Sequence, residues 1–534
     1  MSVRFGPARV REVLEDLDRP CYVVRADGRI GTTSHPPRPG SGVQILAAAP
    51  PVSTRQLGSA AFLRDHGAEQ PYMAGSMAGG ISSEELVIAL ARTGHLASFG
   101  AAGLSADRIE RAVLRLHRDA PGLPWACNLI HSPATPEAER QAVDLYLRHR
   151  VRCVEASAFL QPTPDLVRYR AAGLRGGPGS AVRADNRVVA KVSQAGTAEF
   201  FLRPAPAELL AGLVREGRVT AGQAELAARV PLADDITVEA DSAGHTDRRP
   251  LVTQLPLITA LRDREALAGR PGGTVRIGAA GGIGTPQAAF AAFALGAAYI
   301  VTGSVNQACV EAGTSAAAKA LLAEAEIGDC AMAPAADMFE MGIDVQVLKR
   351  GTLFPGRAAW LYRLYREHEG LHDLSPQDRG RLEEQIFHRP LDEVWPEVAA
   401  YLRAHRPGQA ERAERTPKLR MALVFRWYLG LSSRWASHGE ADRAGDFQIW
   451  CGPAMGAFNA WVDGTPWAAP GNRRVADIAR SLLRGAAYHS RLAQLRFAGV
   501  TLPPSCATYR PPTGAPHAVG AHGRPERPSL SGVQ

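Results

Sequence analysis

The chain has 534 residues, 46% of them hydrophobic, and 61 Lys and Arg against 53 Asp and Glu give a formal net charge of +8. That length suits one large domain plus a smaller one. No apolar run is long enough to span a bilayer and the N-terminus, Met1-Ser-Val-Arg-Phe-Gly-Pro7, has no apolar signal region, so a cytoplasmic location is expected. The seven cysteines include no CxxC pair and suggest neither a disulfide framework nor a metal site. The positive charge is carried mostly by arginine and spread without a basic block, which argues against a nucleic-acid arm and leaves room for an acidic partner.

Residues 1–65 read as an N-terminal segment with little periodicity, apart from a strand over Pro20-Cys-Tyr-Val-Val-Arg-Ala-Asp-Gly28 entering a turn. A regular alternation then begins. Short apolar strands are predicted at Tyr72–Met77, Leu96–Phe99, Trp125–Ile130, Val151–Ala156, Arg187–Ser193, Asp235–Ala240, Val275–Ala280 and Ala298–Thr302. Helical patterns lie between them: one capped by Ser82-Ser83-Glu84-Glu85, one by Ser105, and others over Pro136–Arg148, 221–228 and from Thr285-Pro286 to about Leu295. Strands buried on both faces lose the in/out alternation and read this way. Eight strand–helix repeats predict an α/β fold, a (β/α)8 barrel over residues 66–330. A doubly wound open sheet would place a GxGxxG turn after the first strand, and Met73-Ala-Gly-Ser-Met-Ala-Gly-Gly80 does not fit.

After residue 330 the pattern changes. Helices are predicted over about 357–369, 375–386, 391–405, 411–430 and 474–497, a helical subdomain spanning 331–502. Trp427, Tyr428, Trp435, Trp450 and Trp461 read as its core against the barrel. Lys349-Arg350, Arg420 and Arg426 read as solvated charges or as the lining of an entrance for an anionic arm. Residues 503–534, rich in Pro, Gly, Arg and His, read as a disordered tail.

Chemistry should gather where barrel strands end. Gly281-Gly282 and Gly303-Ser304 follow the last two strands, and bare backbone at two such turns is how a barrel holds a phosphate. The same face should carry Gly75, Ser76, Met77 and Ala78 after the first strand, Asn128 and His131 after the third, Glu155 and Ser157 after the fourth, and Lys191 and Ser193 in the fifth. Glu239, Asp241, Gly244 and His245 follow the sixth. His245, just past a strand among small residues, suits a general acid/base. Lys191 inside an apolar strand must face a polar cavity or neutralise an anion: a phosphate, a reduced flavin ring and a Schiff base are the options. Asn128 could bond a flat heterocycle or satisfy loop backbone. Glu239 and Asp241 lack the His cluster of a metal site and suit orienting roles or contacts to sugar-like hydroxyls.

Gly75-Ser-Met-Ala78, Cys127-Asn-Leu-Ile130, Glu239-Ala-Asp-Ser-Ala-Gly-His245 and Ala279-Ala-Gly-Gly-Ile283 resemble the nitronate monooxygenase-like flavoproteins and the FMN-dependent enoyl reductases of fatty-acid synthesis. Val345-Gln-Val-Leu-Lys-Arg-Gly-Thr-Leu-Phe354, Met421-Ala-Leu-Val-Phe-Arg-Trp-Tyr-Leu-Gly-Leu-Ser-Ser433 and Gln448-Ile-Trp-Cys-Gly-Pro-Ala-Met-Gly-Ala-Phe-Asn459 are more specific. From about residue 20 to 500 the chain resembles the PfaD-type, trans-acting enoyl reductases of polyketide and polyunsaturated fatty acid synthases. The resemblance implies FMN, with its phosphate on Gly281-Gly282 and Gly303-Ser304, its ring against Gly75 to Ala78, and Asn128 and Lys191 beside it. It also implies NADPH as reductant, an enoyl thioester on an acyl carrier protein as substrate, His245 as the active-site histidine, and a homodimer. One departure stands out: the family usually has Gly-Gly-His where this chain has Ala243-Gly244-His245, and the added methyl could narrow the loop or shift the histidine. A flavin oxidase acting on nitronates, a non-catalytic docking subunit and a Schiff-base lyase using Lys191 are the alternatives.

Overall fold

The computed structural model describes residues 2–131, 136–178 and 181–511. Eight parallel strands close into a barrel in sequence order: Tyr72–Ala74, Leu96–Phe99, Ala126–Ile130, Cys153–Ser157, Arg187–Val192, Asp235–Glu239, Arg276–Ala280 and Ile300–Thr302. The eighth pairs with the first, Ile300 opposite Tyr72 and Thr302 opposite Ala74, which rules out the open sheet. The fold is thus an α/β (β/α)8 barrel with a C-terminal helical subdomain. Most strand positions are apolar because helices cover them outside and side chains fill them inside; Leu96–Phe99 is buried at every position.

One end of the barrel is sealed. The helix Ala60–His66, capped by Ser59, inserts Phe62 and Leu63 among Met73, Leu96, Ala126, Cys153, Val189 and Val301. Tyr299 stacks on Phe62 with ring centroids 4.3 Å apart. Around this plug, Asp235 at the start of the sixth strand bonds His66 Nε2 at 2.7 Å and Arg276 at 2.6 and 2.7 Å, and Arg276 reaches Asp65 at 2.7 Å. The open mouth is therefore the end where the strands finish.

The N-terminal segment holds a three-stranded antiparallel sheet, Cys21–Ala26, Arg29–Thr33 and Gln44–Ala49. Its first hairpin turns on Asp27 and Gly28, both at positive φ (50° and 71°), as an Asp-Gly two-residue turn requires. The last helix, Val475–Phe497, packs between this sheet and the barrel helix Pro286–Ala294, with Gly485 close against Pro286. The sequence places that helix in the C-terminal subdomain; its packing partners are instead the barrel and the N-terminal sheet, a non-local pairing.

The subdomain proper begins with a hairpin, Cys330–Pro334 and Asp344–Leu348, followed by helices Phe354–Glu367, Pro376–Arg381, Leu391–His405, Pro407–Arg415 and Pro417–His438. These enclose a second core containing Phe339, Phe354, Leu361, Ile386, Val394, Met421, Phe425 and Tyr428. The single helix expected over 411–430 is two: Thr416 is extended (φ −125°, ψ 95°) because the following Pro417 disfavours helix at its predecessor and starts a new one. Trp427 and Trp450 border this core and Trp435 both cores, whereas Trp461 packs against the barrel side and donates its Nε1–H to the Tyr509 carbonyl at 3.0 Å. The helices Pro164–Ala172, Ala195–Leu202, Ala207–Arg215 and Leu251–Leu267 were not among those predicted; the last carries Pro256 inside it.

The first residues of the tail expected from 503 are folded onto the protein. A short turn at Pro504–Cys506 buries Cys506, and Tyr488 donates its hydroxyl to the Cys506 carbonyl at 2.7 Å. The remainder of that expected tail, 512–534, lies outside the described residues. No described helix is long and apolar enough to cross a membrane.

Candidate active site

At the open end, the seventh and eighth strands finish in neighbouring turns. Gly281 and Gly282 both have positive φ, 90° and 71°. A side chain on Gly281 would strike the backbone of Ala240 and Asp241 at 2.7–2.9 Å, so this glycine lets two strand ends meet. Gly282 and Gly303 have nothing within 4 Å of where a side chain would begin. Among the described residues, the N–H groups of Gly282, Gly303 and Ser304 donate to no protein acceptor. The Ser304 hydroxyl accepts from Gly452 N–H at 3.2 Å, which brings the Gln448–Asn459 stretch to the rim of the same cradle. Two turns of free N–H groups side by side form an anion cradle.

The turn after the first strand is a rigid bed. Ser82 Oγ accepts from Met77 N–H and donates to the Gly75 carbonyl, both at 3.0 Å, and Gly75 N–H reaches the Thr302 carbonyl at 3.0 Å. Ser76 N–H donates to Glu155 Oε2 at 2.7 Å. Glu155 is fully buried and its Oε1 has no protein partner, 3.5 Å from where a Gly75 side chain would start. Asn128 spends its amide N–H groups on the Glu155 carbonyl and Ser157 Oγ, each at 3.1 Å.

Lys191 Nζ lies 3.0 Å from Glu239 Oε1, with Ser242 Oγ on the same oxygen at 3.3 Å. Burial works against the ammonium, but the carboxylates of Glu239 and Glu155 outweigh it and hold the Lys191 pKa above the ordinary lysine value. A pKa held up in this way favours the ammonium over the free amine that a Schiff base would need.

His245 stands on a two-residue strand, Gly244–His245, that pairs antiparallel with Gln346 and Val345 of the subdomain hairpin. Gln346 Nε2 also donates to Asp241 Oδ1 at 3.0 Å and to the Ser242 carbonyl at 2.8 Å. Gly244 has φ 78° and needs to be glycine, whereas Ala243 is not among the positive-φ residues, so its methyl strains no backbone. His245 Nε2 is 3.3 Å from Asp337 Oδ1. Burial opposes the imidazolium, but Asp337 and then Glu239 lift the His245 pKa above its ordinary value against Lys191.

Not every candidate joins this cluster. His131 bonds Glu139 through Nδ1 at 2.7 Å and packs beside Phe159, so its ring is taken up by the following helix. The Ser193 carbonyl accepts from Gln254, and Asp241 serves the hairpin. Asp337 was absent from the sequence candidates; it sits in Pro334-Ala-Ala-Asp-Met-Phe339, which carries no motif and reaches the mouth only through the fold.

Comparisons with known proteins agree with this architecture. The model of the fatty acid synthase subunit PfaD N-terminal domain matches residues 1–51, and that of the inserted helical domain of [acyl-carrier-protein] S-malonyltransferase matches residues 368–447. The chain is 46% identical over 507 residues to a polyunsaturated fatty acid synthase polypeptide of Thraustochytrium sp., covering 92% of this chain and 34% of that protein. It is 43% identical over 447 residues to polyketide biosynthesis protein PksE of Bacillus subtilis, covering 83% of this chain and 58% of that protein. The chain thus spans about a third to just over half the length of these two relatives. The solved enoyl reductase domain of MlnA, from the macrolactin cluster of Bacillus amyloliquefaciens, superposes with a TM-score of 0.78 at 38% identity, covering 83% of this chain and 100% of that domain.

Proposed function

The chain belongs to the PfaD-type enoyl reductases, and from that premise we propose that it is an FMN- and NADPH-dependent enoyl reductase acting in trans in polyketide or polyunsaturated fatty acid synthesis. Its substrate is an α,β-unsaturated acyl thioester on an acyl carrier protein of the synthase. The observation that carries the reading is the pair of free N–H turns at Gly282 and Gly303-Ser304, set beside a buried lysine and a histidine at one barrel mouth.

These residues fit a flavin mononucleotide. The open space at Gly282 and Gly303 and their unused N–H groups suit a terminal phosphate. The Gly75–Ala78 backbone offers a flat bed, with Met77 held by Ser82. Lys191, kept charged by its two carboxylates, suits the electron-rich edge of the ring; Asn128 retains its Oδ1 as an acceptor; Glu239 and Gly244 lie on the same rim. When bound, FMN supplies the hydride transfer, from NADPH to the β-carbon of the enoyl thioester. Saturation also consumes one proton, which must reach the α-carbon. We assign that proton to His245: its Nε2 lies 3.3 Å from Asp337 Oδ1, and as an imidazolium it keeps Nδ1–H to give to the substrate. The excess of Lys and Arg suits an acidic carrier protein and its phosphopantetheine arm. A homodimer and a cytoplasmic location complete the reading.

The visible spectrum of the purified protein tests it. A flavin spectrum that bleaches with NADPH under anaerobic conditions and recovers on addition of an enoyl thioester is the expected result. A colourless protein that binds no added FMN overturns it, and oxygen uptake with a nitroalkane in the absence of nicotinamide favours the oxidase instead.

A further inference from the structure

The subdomain hairpin reaches the barrel mouth with more than its backbone. His245, Val345 and Ala333 lie side by side across one three-stranded sheet, and Asp337 follows Ala333 just beyond the hairpin's first strand. The loop carrying Asp337 is pinned at both ends. Ala335 N–H bonds the Ile343 carbonyl at 2.9 Å, and Phe339 is fully buried in the subdomain core against Tyr362, Tyr365 and Phe425. Next to it Glu340 pairs with Arg426 at 3.0 Å.

The Asp337–His245 contact joins two half-exposed side chains, 55% and 47% accessible. Such a pair adds little to stability, about 0–1 kcal/mol. Its consequence lies in orientation, because the backbone on each side is already fixed and only the ring torsion is left to set. We propose that Asp337 is a positioning residue of the active site: it holds the His245 imidazole by Nε2 and turns Nδ1 towards the substrate, so that the helical subdomain completes the proton-donating end of the barrel.

The charged groups facing His245 are Asp337 from the hairpin loop, Glu239 from the sixth strand and Lys191 from the fifth; Arg426 faces Asp337 from the helix Pro417–His438. Burial disfavours the Asp337 carboxylate, yet His245 and Arg426 keep its pKa below the ordinary value, so it is ionised at neutral pH. Its charge then favours the protonated form of the histidine.

The proposal rests on the reading of His245 as proton donor, and the test separates the two. Asp337→Asn and Asp337→Glu are made in the full chain. The His245 ring is titrated by NMR with labelled histidine, its signal identified from its loss in His245→Gln. Enoyl-thioester reduction is followed against pH, and NADPH-dependent ferricyanide reduction, which needs no proton donor, serves as the control. Asp337→Asn should lower the His245 titration midpoint, move the alkaline limb of kcat to lower pH and reduce kcat a few-fold to about tenfold, well short of the roughly hundredfold or greater loss that removal of a general acid brings. Ferricyanide reduction should hold, and Asp337→Glu should recover most of the loss. An unmoved midpoint with an unmoved limb overturns the proposal, as does an equal loss in both reactions. If the wild type reduces no enoyl thioester, the functional reading falls, and the NMR titration alone decides whether Asp337 governs the imidazole.

Discussion

Lys191 shows what a single residue contributes to this mouth. Its ammonium is enclosed by Glu239 and Glu155, and Glu155 already has one oxygen without a protein partner. Replacing Lys191 with Met keeps the bulk and removes the charge, leaving two carboxylates facing the place proposed for an electron-rich ring. FMN affinity should fall by about 1.5–3 kcal/mol, roughly tenfold to a hundredfold, the range for hydrogen bonds to charged groups. Fluorescence titration of the apoprotein measures it, and an unchanged Kd would remove Lys191 from the binding site. That Lys191 faces other polar groups was legible from the sequence, because a lysine in an apolar strand has few other places to go. The Gly281-Gly282 and Gly303-Ser304 turns were legible for the same kind of reason, since glycine pairs at strand ends announce close backbone approach. His131 was not: its position after the third strand matched the pattern, but Glu139, in the first turn of the next helix, captures its ring. Asp337 was the converse, a residue with no local signal that long-range packing delivers to the site.

At the scale of elements, the sealed end of the barrel depends on the start of the sixth strand. Asp235 is fully buried. Burial penalises its charge, but His66 and Arg276 more than compensate and hold its pKa down from 3.8 to about 2. A depressed carboxylate contributes stability that is present above its unfolded pKa and is lost as pH falls from about 4 towards 2. That shift corresponds to about 2 kcal/mol at neutral pH. Asp235→Asn also removes the buried countercharge of Arg276 and sets an amide N–H against one of its two guanidinium bonds, so its cost should exceed about 3 kcal/mol by urea denaturation at pH 7. The variant should lose the wild type's drop in stability between pH 4 and 2; an unchanged acid profile would show that this network does not control acid unfolding. The strands themselves were readable because most of their positions are apolar on both faces and turn residues bound them. The helix boundary at Thr416-Pro417 was missed because apolar residues continue on both sides of it. Leu251–Leu267 was missed because Pro256 within it argues against a helix from local chemistry, and packing against the barrel overrides that preference.

Across the whole molecule, the N-terminal segment and the helix Val475–Phe497 meet on one cation. Arg491, fully buried in the last helix, donates to the carbonyls of Val13, Leu14, Asp16, Leu17, Arg19 and Pro50. Burial lowers its pKa, yet arginine stays protonated under all ordinary conditions; Nη1 and Nη2 are met by backbone carbonyls, while Nε has no protein partner. The arrangement joins the N-terminal sheet to the helix that also covers the barrel helix Pro286–Ala294. No periodicity in either segment foretells it, because the acceptors are carbonyls and carry no side-chain signature. Arg491→Met fills much of the same space but removes six bonds to carbonyls, of which those of Asp16 and Leu17 keep a backbone donor. The sheet should then open independently of the barrel: amide exchange over the strands Cys21–Ala26 and Gln44–Ala49 should accelerate by a factor of roughly a hundred or more, about 3 kcal/mol of lost local stability. Barrel strands such as Ala126–Ile130 should exchange as before, because their closure depends on the eight-strand ladder and the Asp235 network, neither of which Arg491 touches. Equal acceleration in both regions would mean that sheet and barrel unfold as one unit and that Arg491 supports the whole of it.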